Sequence, residues 1–178
     1  NCGGCPLGNN HENQGYRCTS DTECGSRNSC LRVASTTSRE SRGTKAKASG
    51  AGAVIVDLED AVAPQDKVAA RQALNQWLTT DDVASVYVRI NAYDTPWYAE
   101  DVQLCHADKV LGVVVPKAED EVQLRLLNQQ LPHKVLLPLI ETALGFHQAL
   151  SVAKVKGVSR LLFGSIDFKK DVGIAGED

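Results

Sequence analysis

An α/β protein built on an all-parallel sheet is the fold class this sequence predicts, and three observations predict it. The apolar runs from residue 50 onward are short and continuous rather than alternating, as in strands covered on both faces. They are separated by stretches with helical spacing, so strand and helix alternate along the chain. Each apolar run also stops in a charged or strongly polar residue, once per strand–helix unit.

The elements follow in order. Residues 1–44 form an atypical leader with all but one of the six cysteines, many small polar residues and few large apolar ones. Such a composition cannot bury a core without staples. Three readings of it stay open. One is a disulfide knot using Cys18, Cys24 and Cys30, and another a zinc half-site at Cys2 and Cys5. The third is a disordered or non-native leader. Residues 45–178 form the α/β domain. Its strands are read at "AVIVD" (53–57), "SVYVR" (85–89), "GVVVPK" (112–117), "KVLLPLIE" (134–141) and "SRLLFGSID" (159–167).

Between them lie the helical stretches 63–80, 95–109, 119–131 and 142–155. Pro64 and Pro96 stand where first-turn prolines are favoured, with Thr95 as a helix N-cap. Phe146, Ala149, Leu150 and Ala153 recur at helical spacing and are expected to lie against the sheet, with Gly157 as the C-cap. Cys105 reads as a core residue. His106, His133 and His147 have no ligand pattern around them and read as surface or packing residues. Lys67 and Arg71 are expected either to meet phosphates or to line a solvated helix face.

Composition excludes several functions. The 178 residues carry 43% hydrophobic content, enough for one sizeable core, and a net charge of −3 with both signs interleaved. Nucleic-acid binders usually carry a basic stripe, so nucleic acid is not an expected partner. No apolar run approaches the ~20 residues of a membrane span, and no secretion-type apolar region opens the chain, so a cytoplasmic, membrane-free protein is expected. Neither a Walker-type nor a dinucleotide-type glycine motif follows a strand. There is no methionine, and no closing element follows the last apolar run. The chain therefore reads as a fragment or a processed form.

The chemistry lies at the strand ends. They carry Asp57 with Glu59 and Asp60, Arg89 with Asn91, Lys117 with Glu119, Glu141, and Asp167. In a parallel α/β protein the C-terminal ends of all strands share one side, so these charges converge. Glu141 and Asp167 offer hard oxygen ligands suited to Mg²⁺, which keeps open positions for water and a chelating substrate. Arg89 stays cationic and can hold a carboxylate or stabilise charge developing on oxygen. The turn from Gly164 through Ser165 and Ile166 to Asp167 offers backbone N–H donors to a substrate carboxylate. A 2-oxo acid fits this set, because its carboxylate and ketone oxygens chelate one metal.

Five segments in order, "GAGAVIVDLEDAVAPQDKVAAR", "VYVRINAYDTPW", "GVVVPKAE", "PLIETALG" and "LLFGSIDFKKDVGI", resemble the citrate lyase β-subunit-like branch of the HpcH/HpaI aldolase family, which includes malyl-CoA and citramalyl-CoA lyases. The resemblance covers about residues 45–178. It implies a (β/α)8 TIM barrel, assembled as a homo-oligomer (trimer or hexamer), with Mg²⁺ at the C-terminal mouth. It implies Glu141 and Asp167 as metal ligands, with Ser165 and Ile166 beside Asp167 as substrate-binding residues, and Arg89 as a catalytic residue on the oxo-acid oxygen. Asp57, Glu59 and Asp60 correspond to the acidic motif near the metal and its waters. The resemblance implies Asp60, where related aldolases have a histidine, as a second catalytic residue. The implied reaction is cleavage of a 3-hydroxyacyl-CoA (malyl-, citramalyl- or citryl-CoA) to an acyl-CoA and a 2-oxo acid.

The sequence departs from the family in two places. The region before residue 50 spells no apolar first strand, and a (β/α)8 barrel typically needs ~250 residues. The expectation is thus an incomplete barrel, with strands 2–6 clear, strand 1 degenerate and strands 7–8 absent, whose unpaired edges invite association. Two alternatives to a CoA lyase stay open: a free-acid 2-oxo acid aldolase, and a non-catalytic remnant that binds oxo acid or CoA.

Overall fold

The computed structural model describes the backbone of residues 31–35 and, in full, residues 53–80 and 85–174. Six strands run through them: β1 (Leu31–Ser35), β2 (Ala53–Asp57), β3 (Val86–Arg89), β4 (Val110–Val115), β5 (Val135–Ile140) and β6 (Leu162–Phe163). All neighbours pair in parallel, in the order β1-β2-β3-β4-β5-β6. A sheet whose spatial order equals its sequence order is wound in one direction only. That is the winding of a (β/α) barrel, whereas an open doubly wound sheet reverses order at a switch point. The described residues form a parallel-sheet half-barrel.

Among the described residues four helices fill crossovers, α1 (Lys67–Leu78), α2 (Tyr98–Leu104), α3 (Glu121–Gln130) and α4 (Ala143–Ala153), and a fifth, α5 (Ser165–Asp171), follows β6. A 3-10 turn at Pro64–Asp66 leads into α1 and has its proline in the first turn, as expected. Asp120 caps α3 by accepting from the Val122 N–H, and Thr142 caps α4 by accepting from the Gly145 N–H.

The strands separate two apolar layers by their period of two. Val54, Val56, Val86 and Val88 face the helices and pack with Ala70, Leu74, Val102, Leu124, Leu127 and Val152. Ile55, Val114, Leu137 and Leu139 face the other way, joined by Tyr87 and Leu162, in a cluster that includes no helix residue among the described residues. Continuing the alternation by two residues places Asp57, Arg89 and Glu141 on this second face, directly above Ile55, Tyr87 and Leu139. The sheet's geometry therefore gathers the charges before any specific interaction is considered.

Several expectations need correction. The first strand is not lost: Leu31–Ser35 pairs with β2 from Leu31↔Ala53 to Ser35↔Asp57, so the sheet begins before residue 45. The cysteine readings at residues 2, 5, 18, 24 and 30 fall outside the described residues. At the other end β6 is far shorter than the apolar run suggested. Pro138 has no N–H to give, and the β5–β6 contact is interrupted around it, touching at Leu136↔Val158 and again from Leu139↔Leu162. "GSID" is not an extended turn, because Ser165 begins α5.

Helix α4 also turns a different face to the sheet. Gly145 and Val152 are buried on it, while Phe146 and Leu150 are exposed. The glycine allows close approach, since a Cβ at residue 145 would lie 3.0 Å from the Ala118 carbonyl oxygen. Gly157 does take a positive φ of 92°, but in the turn towards β6 rather than as the cap, which is Lys154. Thr95 donates its hydroxyl to Ala92 O and does not cap α2, whose N-cap is Trp97. Cys105 is fully buried, and the three histidines at 106, 133 and 147 are exposed, as expected.

Candidate active site

Asp57 is the centre of the charged mouth and is 0% exposed. Its cost is offset by donors from a side chain and from the backbone. Arg89 Nε donates to Oδ1 at 2.8 Å and Nη2 to Oδ2 at 2.5 Å, while the backbone N–H groups of Glu59 and Ala61 donate to Oδ1 and Oδ2. The two residues are register partners on β2 and β3, so the fork-to-carboxylate pairing follows from strand alignment. Asp57 is thus satisfied by Arg89 and by the loop that follows it.

That pairing fixes what Arg89 has left. Nη1 points to the other two acids, 3.4 Å from Glu59 Oε2 and 3.8 Å from Asp60 Oδ2. Burial alone would pull the guanidinium down, but the Asp57 hydrogen bonds and charge, with Glu59 and Asp60, hold it well above its ordinary value. Arg89 is a permanent cation of fixed direction. Burial raises the Glu59 carboxyl, helped by the charges of Asp60 and Asp57 and opposed by Arg89. Asp60 is the exposed member, with 62% of its side chain open.

Glu141 directly follows β5 and is only 4% exposed. Its Oε1 accepts the Lys117 backbone N–H at 2.8 Å. Lys117 delivers that N–H from a left-handed conformation, φ 47°, which a side chain adopts only at a cost. Behind Glu141 lies Gly164, where a Cβ would come within 3.0 Å of Oε2. Burial pushes the Glu141 carboxyl up to about 7; the Lys117 N–H and Arg89 oppose the shift, and the charges of Glu59 and Asp167 add to it. Asp167 stands in the first turn of α5 and pairs with Lys170 at 2.9 Å. Lys170 in turn feels the charge of Asp60. The ends of β2, β3 and β5 and the start of α5 thus share one electrostatic neighbourhood. Ser165 and Ile166 open the same helix at its rim.

The donor set fits Mg²⁺. Asp57, Glu59, Asp60, Glu141 and Asp167 outnumber the cations Arg89 and Lys170 in this neighbourhood, and a carboxyl raised by burial and by neighbouring acids is one that a bound cation would ionise. Among the described residues no three His, Cys, Asp or Glu side chains form a cage. Mg²⁺ is commonly held by one or two carboxylates with water and substrate completing the shell, so such a site needs no cage of three side chains.

Sequence reasoning missed the supports of this mouth. Lys67 is buried rather than solvated, donating Nζ to Leu58 O at 2.9 Å and Glu59 O at 2.7 Å, over the Trp97 ring at 5.4 Å. Arg71 is buried too, paired with Glu100 and with Asp101 at 2.9 Å. Neither is placed to meet a phosphate. Thr142 donates its hydroxyl to Glu119 at 2.6 Å while capping α4, which ties the β4 loop to the Glu141 loop. A Lys or Arg in a helical pattern signals only amphipathicity, so the sequence held no sign of these roles.

A family model described as HpcH/HpaI aldolase/citrate lyase matches residues 35–178. The chain belongs to that family. Within the HpcH/HpaI family it is 33% identical over 138 residues to a (3S)-malyl-CoA thioesterase of Cereibacter sphaeroides, covering 76% of this chain and 48% of that protein. It is 34% identical over 131 residues to a citrate lyase subunit beta-like protein of Deinococcus radiodurans, covering 68% and 46%. The chain spans about half the length of the curated relatives it matches. Among solved structures, the citrate lyase beta subunit of Mycobacterium tuberculosis complexed with oxaloacetate and magnesium superposes with TM-score 0.67 at 30% identity, over 82% of this chain and 62% of that one. CitE of the same organism, in complex with magnesium, acetoacetate and coenzyme A, gives TM-score 0.70 at 31% identity, over 83% and 52%. Among the described residues no helix is long and apolar enough to cross a membrane.

Proposed function

We propose that this family member carries the mouth of a Mg²⁺-dependent carbon–carbon lyase that cleaves a 3-hydroxyacyl-CoA of malyl, citramalyl or citryl type to an acyl-CoA and a 2-oxo acid. The observation that carries the reading is Arg89, locked by Asp57 and left with one nitrogen directed into a mouth that holds a buried carboxyl, Glu141. Glu141 and Asp167 are the residues that would hold Mg²⁺, which when bound supplies Lewis-acid polarisation of the oxo-acid oxygens. Asp60, exposed beside Arg89 Nη1, takes the proton from the substrate hydroxyl. The carbon bearing that hydroxyl becomes the carbonyl of the 2-oxo acid, and the electron pair of the broken carbon–carbon bond passes to the thioester fragment as an enolate. Arg89 opposes the negative charge during this step, and the enolate carbon then takes up a proton to give the acyl-CoA. Magnesium with oxaloacetate, and magnesium with acetoacetate and coenzyme A, bound to the Mycobacterium relatives support this substrate class. The reading carries with it a homo-oligomer working in the cytoplasm.

A second reading rests on the relatives named (3S)-malyl-CoA thioesterase, in which the thioester is hydrolysed instead. Malyl-CoA separates the two. A lyase releases acetyl-CoA and glyoxylate, and a thioesterase releases malate and the free CoA thiol. The expected result is Mg²⁺-dependent glyoxylate release that Glu141→Ala and Asp167→Ala abolish. Thiol release without glyoxylate would replace the lyase by the thioesterase, and equal glyoxylate release in both variants would remove the metal assignment.

A further inference from the structure

We infer that Asp101, on α2, is a positioning residue for Arg89, acting through Asn91 and Leu58. Asp101 is 1% exposed, and both of its oxygens are committed. Oδ1 accepts from Arg71 Nε at 2.9 Å. Oδ2 accepts twice from a single residue, from the Asn91 backbone N–H at 2.9 Å and from Asn91 Nδ2 at 2.6 Å. Two donors of one residue on one oxygen fix its backbone and its side chain together.

Asn91 passes this constraint to the acidic loop. Its Nδ2 also donates to Leu58 O at 3.0 Å, the same carbonyl that accepts Lys67 Nζ. The Leu58 N–H donates to Arg89 O at 2.9 Å, extending the β2–β3 ladder past Asp57 and Arg89. Residues 57–59 and 89–91 are therefore stitched at three successive levels. The side-chain pair Asp57–Arg89 comes first, the Leu58–Arg89 backbone bond second, and the Asn91–Leu58 bond, anchored by Asp101, closes the ladder.

A buried carboxylate is a costly way to fill space, and an apolar side chain of similar size would serve packing at least as well. What the carboxylate supplies is direction. It determines how far the backbone after β3 can turn, and so where Arg89 Nη1 points relative to Glu59 and Asp60. Glu100, the neighbouring partner of Arg71, is exposed and touches none of these groups, which makes it the matched control.

The inference rests on the reading of Arg89 as the charge of the mouth, and the test separates the two. Asp101→Asn, Asn91→Ala and Glu100→Gln are compared with the wild-type chain in malyl-CoA turnover. Exchange of the Arg89 Nε–H is followed by NMR on protein labelled with 15N-arginine, the signal being assigned with Arg89→Lys. For Asp101→Asn and Asn91→Ala the expected result is a fall in kcat of about 10- to 100-fold, as for groups that orient primary site residues, with KM changed less than about threefold. Their Arg89 Nε–H exchange is expected to quicken about tenfold or more. Glu100→Gln changes neither. If either variant is less stable yet keeps wild-type kcat and Arg89 exchange, the role is structural and the inference is overturned. Should Asp101→Asn fail to fold, Asn91→Ala decides alone. If the wild-type chain turns over no acyl-CoA, the catalytic reading fails, and the Arg89 exchange still decides whether Asp101 positions it.

Discussion

Gly164 lies so close beneath Glu141 that a Cβ on it would sit 2.9 Å from the Glu141 Cβ and 3.0 Å from Oε2. The backbone there is not left-handed, φ −96°, so alanine strains nothing locally and acts only by displacing the carboxylate. Gly164→Ala is expected to weaken Mg²⁺ binding about tenfold or more while costing about 1–3 kcal/mol of stability. Titration calorimetry with Mg²⁺ checks it, and unchanged affinity would show that Glu141 is not a ligand.

The raised Glu141 carboxyl makes stability depend on pH. Its folded value of about 7 stands above the ordinary value of 4.5, so the folded state holds this proton more tightly than the unfolded one. The resulting stabilisation is fully present below about pH 4.5 and is lost as pH rises through about 7. Glu141→Gln keeps the neutral form at every pH. Its urea midpoint, relative to wild type, is expected to climb across that window and level off above it; a constant difference would contradict the assignment. Mg²⁺ should stabilise the wild type more at pH 7.5 than at pH 5.

Lys117 presents its N–H to Glu141 from a left-handed backbone, and glycine adopts that conformation without the side-chain cost. Lys117→Gly is expected to raise stability by up to about 1 kcal/mol and to leave Mg²⁺ affinity unchanged, because the donor is main-chain. A loss of stability on urea denaturation would count against this account.

Cys105 is fully buried, and burial pushes its thiol up to about 12. It should resist alkylation in the folded chain and react only on unfolding. Mass mapping of the peptide containing Cys105 after iodoacetamide, with and without urea, reads this directly. Labelling in the native state would place the thiol at the surface.

Much of this was legible in the sequence, for reasons that differ by element. Strands β2 to β5 announced themselves because burial on both faces demands unbroken apolar runs, and few arrangements besides a covered parallel sheet call for runs so short and so regularly spaced. Parallel topology alone gathers the charges at their ends onto one side, which makes the shared face of Asp57, Arg89 and Glu141 legible in the sequence. β1 escaped because Arg32 and Ser35 break its run, and only pairing with β2 makes "LRVAS" a strand. The buried face of α4 escaped because periodicity says which residues are alike, not which side is covered. The Asp101–Asn91–Lys67 support escaped for a deeper reason. Asn91 stands out as a polar strand end, but Asp101 is a polar residue at an ordinary helix position, and only its convergence with Asn91 gives it meaning.

Removing one partner of a buried ion pair leaves the other uncompensated. Asp57→Ala is expected to cost about 3–5 kcal/mol, measured by urea denaturation, and more than Asp60→Ala, whose carboxylate faces water. Equal costs would mean that Asp57 and Arg89 are not coupled.

The alignment of Asp57 opposite Arg89 also acts as a proofreading step on the fold. Sliding β3 by one residue along β2 would set Arg89 opposite Val56 and turn its guanidinium towards the helix-facing core, while Asp57 would lose two of its donors. A sheet slipped by one residue would separate the two charges onto opposite faces. The residues proposed to perform the chemistry thus penalise a slipped ladder, and the chain cannot build the mouth without first having threaded its strands correctly.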